Sequence, residues 1–252
     1  MRIDILTRNS LPYTFENYAA TLLEEELEKK GIECRRISDL GPYLYEVRAN
    51  PPDWTLAFED VIGKQTPLCD ILCIPHFHWE RESLERVSHL LRSRFGEVGF
   101  HEKVEGVHYL PLPAQVRPRL EPQFEVVAFF DVTEKSAPFV EKFECRVDIF
   151  GAHKGKNWLV RLKNAERVHL HMPLPYTEKL RAFQMSALCV VPPHLFAPAV
   201  LCGCLPVSAE NAQYFLENAL EREKECARLT EKLLACHSWP AKTEELLKCL
   251  SR

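Results

Sequence analysis

The chain has 252 residues, 46% of them hydrophobic, with 32 basic and 36 acidic side chains. That length gives one large domain or two small ones around an ordinary core. A net charge of −4 excludes bulk attraction to nucleic acid or an anionic membrane, and no apolar run reaches the roughly 18 residues of a membrane span.

In chain order, Arg2–Thr7 predicts a strand, and MRIDILTRNS lacks the apolar centre of a signal peptide. Residues 14–30 carry Phe15, Ala19, Leu22, Leu23 and Leu27 on one helical face, and Gly31 stops that helix. Residues 32–37 predict a second strand, so the chain starts β-α-β with parallel strands. LYEV (44–47) reads as extended, and WTLAFEDVIGK (54–64) as a helix capped by Asp53. DILCI (70–74) reads as a buried strand with His76 and His78 just past its end. Residues 80–95 predict an amphipathic helix with Leu84, Val87, Leu90 and Leu91 inward. VHYLPLP (107–113) is extended. Residues 114–123, polar and interrupted by Pro118 and Pro122, predict a linker.

The pattern then restarts. Strands are expected at 124–131, 145–151 and 167–173, with helices at 133–143 and 156–164 between them. PYTEKLRAFQ (175–184) opens a helix, Cys189–Val191 is a buried strand, and Leu205–Val207 another. Two helices close the chain, at 208–236 and 239–251. Such alternation predicts α/β architecture with parallel sheets, and the restart predicts two of them.

Ten cysteines sit mostly in apolar runs without paired C-x-x-C knuckles. They read as reduced, buried thiols, which is a cytoplasmic expectation. Polar groups gather where predicted strands end, which is where open α/β sheets bind ligands. GAHKGKNW (151–158) offers Gly151, His153, Lys154 and Lys156 to an anion, or is a solvated loop. The helix start offers Tyr176, Thr177, Glu178 and Lys179, or is an ordinary helix end. His194 follows the Cys189 strand. His76 or His78 is the candidate general base, since imidazole titrates near neutral pH; packing is the alternative. HLH (169–171) places two histidines on one strand face. No P-loop, G-x-S-x-G or G-x-G-x-x-G is present.

In order and spacing, VHYLPLPA, FEVVAFFD, RVDIFG, LPYTEKLRAFQMSALCVV, LCGCLPVS and HSWPAKTEELLKCL resemble the C-terminal half of GT-B glycosyltransferases, CgeB-like and family 1-4-like in flavour. The resemblance covers a little over half of the chain. It implies two Rossmann-like domains facing each other across a cleft, the N-terminal one short. Residues 1–118 would form the acceptor-side domain, 119–236 the donor domain, and 237–252 a helix returning to the first. It implies sugar transfer from a nucleotide-diphosphate donor to an unknown glycan, lipid or protein acceptor, without metal or other cofactor; the charge balance and the lack of basic-aromatic signatures predict no nucleic-acid partner. The donor side would use Gly151, His153, Lys154, Lys156, Tyr176–Lys179, His194 and Gly203; the acceptor side Asn9, Ser10 and Glu16. Two departures stand out. Pro198 occupies the position, five before Gly203, where the family has a ribose-holding Glu, and no Gly-rich loop follows the first strand. The alternative function is therefore a catalytically degenerate GT-B-like binding or scaffold protein. A third is an unrelated Rossmann-like enzyme acting on a small phosphorylated metabolite.

Overall fold

The computed structural model describes residues 1–7, 14–58, 67–81, 83–153 and 162–251. They form two compact units, Met1–Pro113 with His237–Arg252, and Ala114–Cys236.

The first unit begins with β1 (Arg2–Leu6), α1 (Phe15–Lys29), β2 (Glu33–Ile37), α2 (Leu40–Ala49) and β3 (Trp54–Ala57). It continues through α3 (Leu68–Leu72), β4 (His76–Trp79), β5 (Gly96–Phe100) and β6 (His108–Tyr109). All six strands are parallel, in the order β2-β1-β3-β4-β5-β6. Both faces of β1 are covered, which is why Ile3, Ile5 and Leu6 are buried together with Asp4. Asp4 is tolerated because Arg35 grips both its oxygens, at 3.1 and 2.9 Å, and the Tyr43 hydroxyl donates to it at 2.9 Å.

Four local expectations are overturned in this unit. LYEV lies inside α2, capped by Asp39, whose carboxylate accepts from Gly41 N. Tyr43 and Val47, one turn apart, pack against Leu6, Ala57 and Ile74. WTLA is the central strand β3, because a strand covered on both faces shows no alternation. DILCI contributes one helical turn that ends at Cys73 in the left-handed region (φ 55°), and the strand is HFHW itself. The predicted helix at 80–95 is two 3-10 turns, Leu84–Val87 and Leu90–Arg92; Val87 and Leu90 are buried, but Leu91 is 42% exposed.

The second unit contains β7 (Phe124–Phe129), α4 (Ala137–Val140), β8 (Val147–Phe150), β9 (Val168–His171) and α5 (Tyr176–Gln184). It continues with β10 (Ser186–Val190), α6 (Phe196–Leu201), β11 (Leu205–Pro206), α7 (Ala212–Glu217) and α8 (Ala219–His237). The helix predicted over 208–236 is interrupted at Asn218, whose ψ of 65° ends α7. Its sheet is parallel, in the order β11-β10-β7-β8-β9. On one face Val126, Ala128, Val147, Ile149 and Leu188 pack with Val140 and Phe143. The predicted linker belongs to this unit. Arg117 N donates to Leu201 O and Leu120 N to Gln184 O, while Ala114 packs with Val200, Leu201 and Leu233. The boundary accordingly falls at Pro113 rather than 118. The final helix, α9 (Trp239–Leu250), packs on α1, with Lys30 paired to Glu244 at 3.1 Å and Trp239 edge-on to Trp79.

Candidate functional site

Taken in chain order, the strands of the second unit lie as fifth, fourth, first, second, third. From β7 the chain winds outward through β8 and β9, then returns past β7 to β10. The connections diverge between the C-terminal tips of β7 and β10, the place where open sheets of this kind bind ligands. The segments Phe130–Thr133 after β7 and Val191–His194 after β10 flank that place.

Hydrogen bonds fix the tips. Asp131 Oδ1 accepts from Ala152 N at 2.9 Å, Val132 N donates to Ala152 O at 2.8 Å, and Val132 bridges to His153. Gly151 is needed for this closeness: a Cβ there would sit 2.0 Å from Phe130 O. Thr133 and Ser136 form a capping box that turns the chain into α4.

Helix α5 leads into the start of β10, so its N-terminus lies at the same edge as the strand tips. Pro175 supplies no side-chain cap, and the first-turn N–H groups face that edge. The 3-10 turn Pro193–Leu195 and α6 begin there too. Lys179 carries its ammonium 6.0 Å from the centre of the Phe129 ring, at the end of β7. Below it, Phe129 stacks on Phe150 at 5.5 Å, Phe150 stacks on His171 at 4.6 Å, and Phe183 meets Phe129 edge-on. His171 is held by Asp148 at 2.7 Å. The edge thus combines helix N-termini, an ammonium and rigid loops. Asp131 and Glu178 are exposed and add negative charge to the same edge.

Of the residues singled out from sequence, Gly151, His153, Tyr176, Thr177, Lys179 and His194 share this edge. Tyr176 is buried, as a wedge at the helix start, and Glu178 points to solvent. Lys154 and Lys156 lie outside the described residues, as do Asn9 and Ser10. Gly203 does not belong to the edge. It ends α6 with φ +78° and lies under Arg119, which donates to Ser186 O at the start of β10. That is the opposite edge of the sheet, where the glycine acts as a helix stop.

In the first unit, His76 and His78 lie within β4, 0% and 1% exposed, not in a loop beyond a strand. His76 Nδ1 meets Thr55 Oγ1 at 2.9 Å. Burial, and after it the charges of His78 and His89, holds His76 well below the usual imidazole range, so it stays neutral. His78 Nε2 meets Glu80 Oε2 at 3.1 Å, and Glu80 Oε1 accepts from Arg81 N and Ser83 N. Glu16, expected on the acceptor side, is 1% exposed in α1. Sequence reasoning missed Glu80, the Phe129–Phe150–His171 stack and Asp131. The alternation that placed both histidines of HLH on one face was the available signal for the stack.

All ten cysteines are free thiols, five of them buried. Among the described residues, no group of three or more His, Cys, Asp or Glu is arranged to hold a metal. No described helix is long and apolar enough to cross a membrane.

No protein-family model matches the chain, and no curated protein matches it in sequence. Solved structures match its fold over nearly its whole length. An alpha-glucosyltransferase in complex with UDP and a 13-mer DNA superposes with a TM-score of 0.63 at 10% identity, covering 100% of both chains. A sucrose-phosphate synthase from Thermosynechococcus elongatus gives 0.61 at 10% identity, covering 99% of this chain and 98% of its own. A putative UDP-N-acetylglucosamine 2-epimerase from Listeria monocytogenes gives 0.55 at 10% identity, covering 99% and 95%. The fold is GT-B, built from two Rossmann-like units with parallel sheets.

Proposed function

We propose that the protein is a GT-B-type glycosyltransferase that holds the diphosphate of a nucleotide-sugar donor at the tips of β7 and β10 and passes the sugar to an acceptor. The observation that carries this reading is the topology: a parallel sheet whose connections diverge between β7 and β10, with the N-terminus of α5 and Lys179 at that edge. The fold shared with enzymes solved with UDP supports it. When the bond from the sugar to the diphosphate breaks, negative charge grows on the leaving oxygen. Oriented N–H groups and an ammonium stabilise that charge without reorganising. In this reading they, rather than a metal, neutralise the diphosphate. An inverting transfer also needs a base at the acceptor hydroxyl. His76 is neutral but fully enclosed. His78 and Glu80, paired at 3.1 Å at the end of β4, are buried as well, 1% and 4% exposed. The net charge of −4 favours an acceptor other than nucleic acid, and ten free thiols fit a reducing compartment.

A second reading keeps the binding and drops the chemistry. Pro198, where the resemblance calls for a ribose-holding Glu, is buried in α6 and its side chain has no hydrogen-bonding group. Calorimetric titration with UDP, GDP and dTDP, followed by assay of nucleotide release from the matching sugar nucleotide, separates the two. Transfer activity gives binding and release; the degenerate reading gives binding without release. No heat from any of the three at millimolar concentration contradicts both.

A further inference from the structure

The second unit carries an open surface pocket of about 460 Å³ on the far side from the strand tips, between α8 and the segment that carries Arg119. Arg119 enters it from one side. Its stem lies flat against Gly203, where a Cβ would come within 2.6 Å of Arg119 Cγ, and one guanidinium nitrogen is tied to Ser186 O at 3.2 Å. Arg222 enters from α8. Its Nη1 donates to Phe215 O at 3.3 Å, and its Nε is buried without an acceptor. Among the described residues, neither guanidinium has a carboxylate partner. Both charges bear on the Cys226 thiol in the pocket wall, pulling it down against the burial that raises it. Two guanidiniums tethered to backbone carbonyls, one exposed and one with an orphaned buried N–H, therefore line one pocket together with the carboxylates of Glu223 and Glu231. Buried polar hydrogens rarely go unused in a native fold.

We propose that this pocket is a binding site for a small organic phosphate monoester, distinct from the strand-tip site. The dianionic head matches two guanidiniums in charge and in fork geometry. Ala227 and Leu234 offer the apolar wall for the organic part, while the Thr230 hydroxyl donates to Cys226 O at 2.8 Å. Glu223 and Glu231 stand on the same wall and repel a longer polyanion, which confines negative charge to a single head and disfavours nucleic acid. The volume suits a small metabolite.

The test is calorimetric titration of the full chain with glycerol 3-phosphate, in wild type and in three variants checked by thermal melting. Arg222→Gln is expected to weaken binding by about 10-fold or more, the usual effect of removing a charge-assisted bond. Ala227→Phe fills the hollow from the helix side and is expected to remove binding while both arginines remain. Lys179→Ala, at the other edge, is expected to leave it within about 2-fold. Absence of binding in wild type, unchanged affinity in either pocket variant, or an equal loss in Lys179→Ala overturns the proposal.

Discussion

Gly151 is the residue whose replacement the strand-tip loops tolerate least. Its missing side chain lets the segments after β7 and β8 touch, with Phe130 O 2.0 Å from where a Cβ would stand. Since the close neighbour is backbone, relief requires the two loops to separate. Gly151→Ala is expected to cost about 2–4 kcal/mol, read from urea denaturation midpoints. Unchanged stability would mean that the loops do not meet as described. His76 makes a second prediction. Its folded pKa lies well below 6.5, so below pH 6.5 the unfolded chain takes up a proton that the folded chain refuses. Stability is therefore full above that pH and falls as acid is added, by up to about 1.4 kcal/mol per pH unit for one histidine. His237, lowered by burial and then by Lys242, adds in the same direction. Urea midpoints between pH 7.5 and 5.5 should fall in wild type and fall less steeply in His76→Asn. Equal slopes would place His76 in contact with water.

At the scale of elements, Lys179 and the start of α5 carry the proposed donor contact. Lys179→Ala is expected to weaken UDP binding about 10-fold, as for loss of one charge-assisted hydrogen bond. Glu178→Gln, which removes an opposing negative charge from the same turn, is expected to strengthen it slightly. A calorimetric titration of both variants reads the pair, and equal affinities would remove α5 from the site. Among the described residues, the helix and strand order of the second unit was legible because its strands are apolar and its breaks are sharp; the helix expected at 156–164 falls mostly outside them. The first unit was harder. LYEV and WTLA exchanged roles because a central parallel strand has no alternation, while a short helix packed through Tyr43 and Val47 has only one apolar pair per turn. HFHW was hidden by its histidines, which a buried strand accepts only because Thr55 and Glu80 meet them. Gly203 illustrates the opposite error. A glycine before a strand fits a ligand loop and a helix stop equally well in sequence, and only its place beside Ser186 and Arg119 decides. The pocket arginines come from segments about 100 residues apart, so no local spacing announces them.

At the scale of the molecule, two parallel sheets in one chain of 252 residues account for the likeness in fold to an alpha-glucosyltransferase and a sucrose-phosphate synthase. A fold of this kind hosts several chemistries, an epimerase among them. The functional claim therefore rests on where the diphosphate goes, more than on the architecture. The most direct measurement is a crystal structure of the full chain soaked with UDP. The account predicts density for the diphosphate between the segments Phe130–Thr133 and Val191–His194, within hydrogen-bonding reach of the first turn of α5. Density at the other edge of the sheet, or none between those segments at saturating UDP, would contradict it.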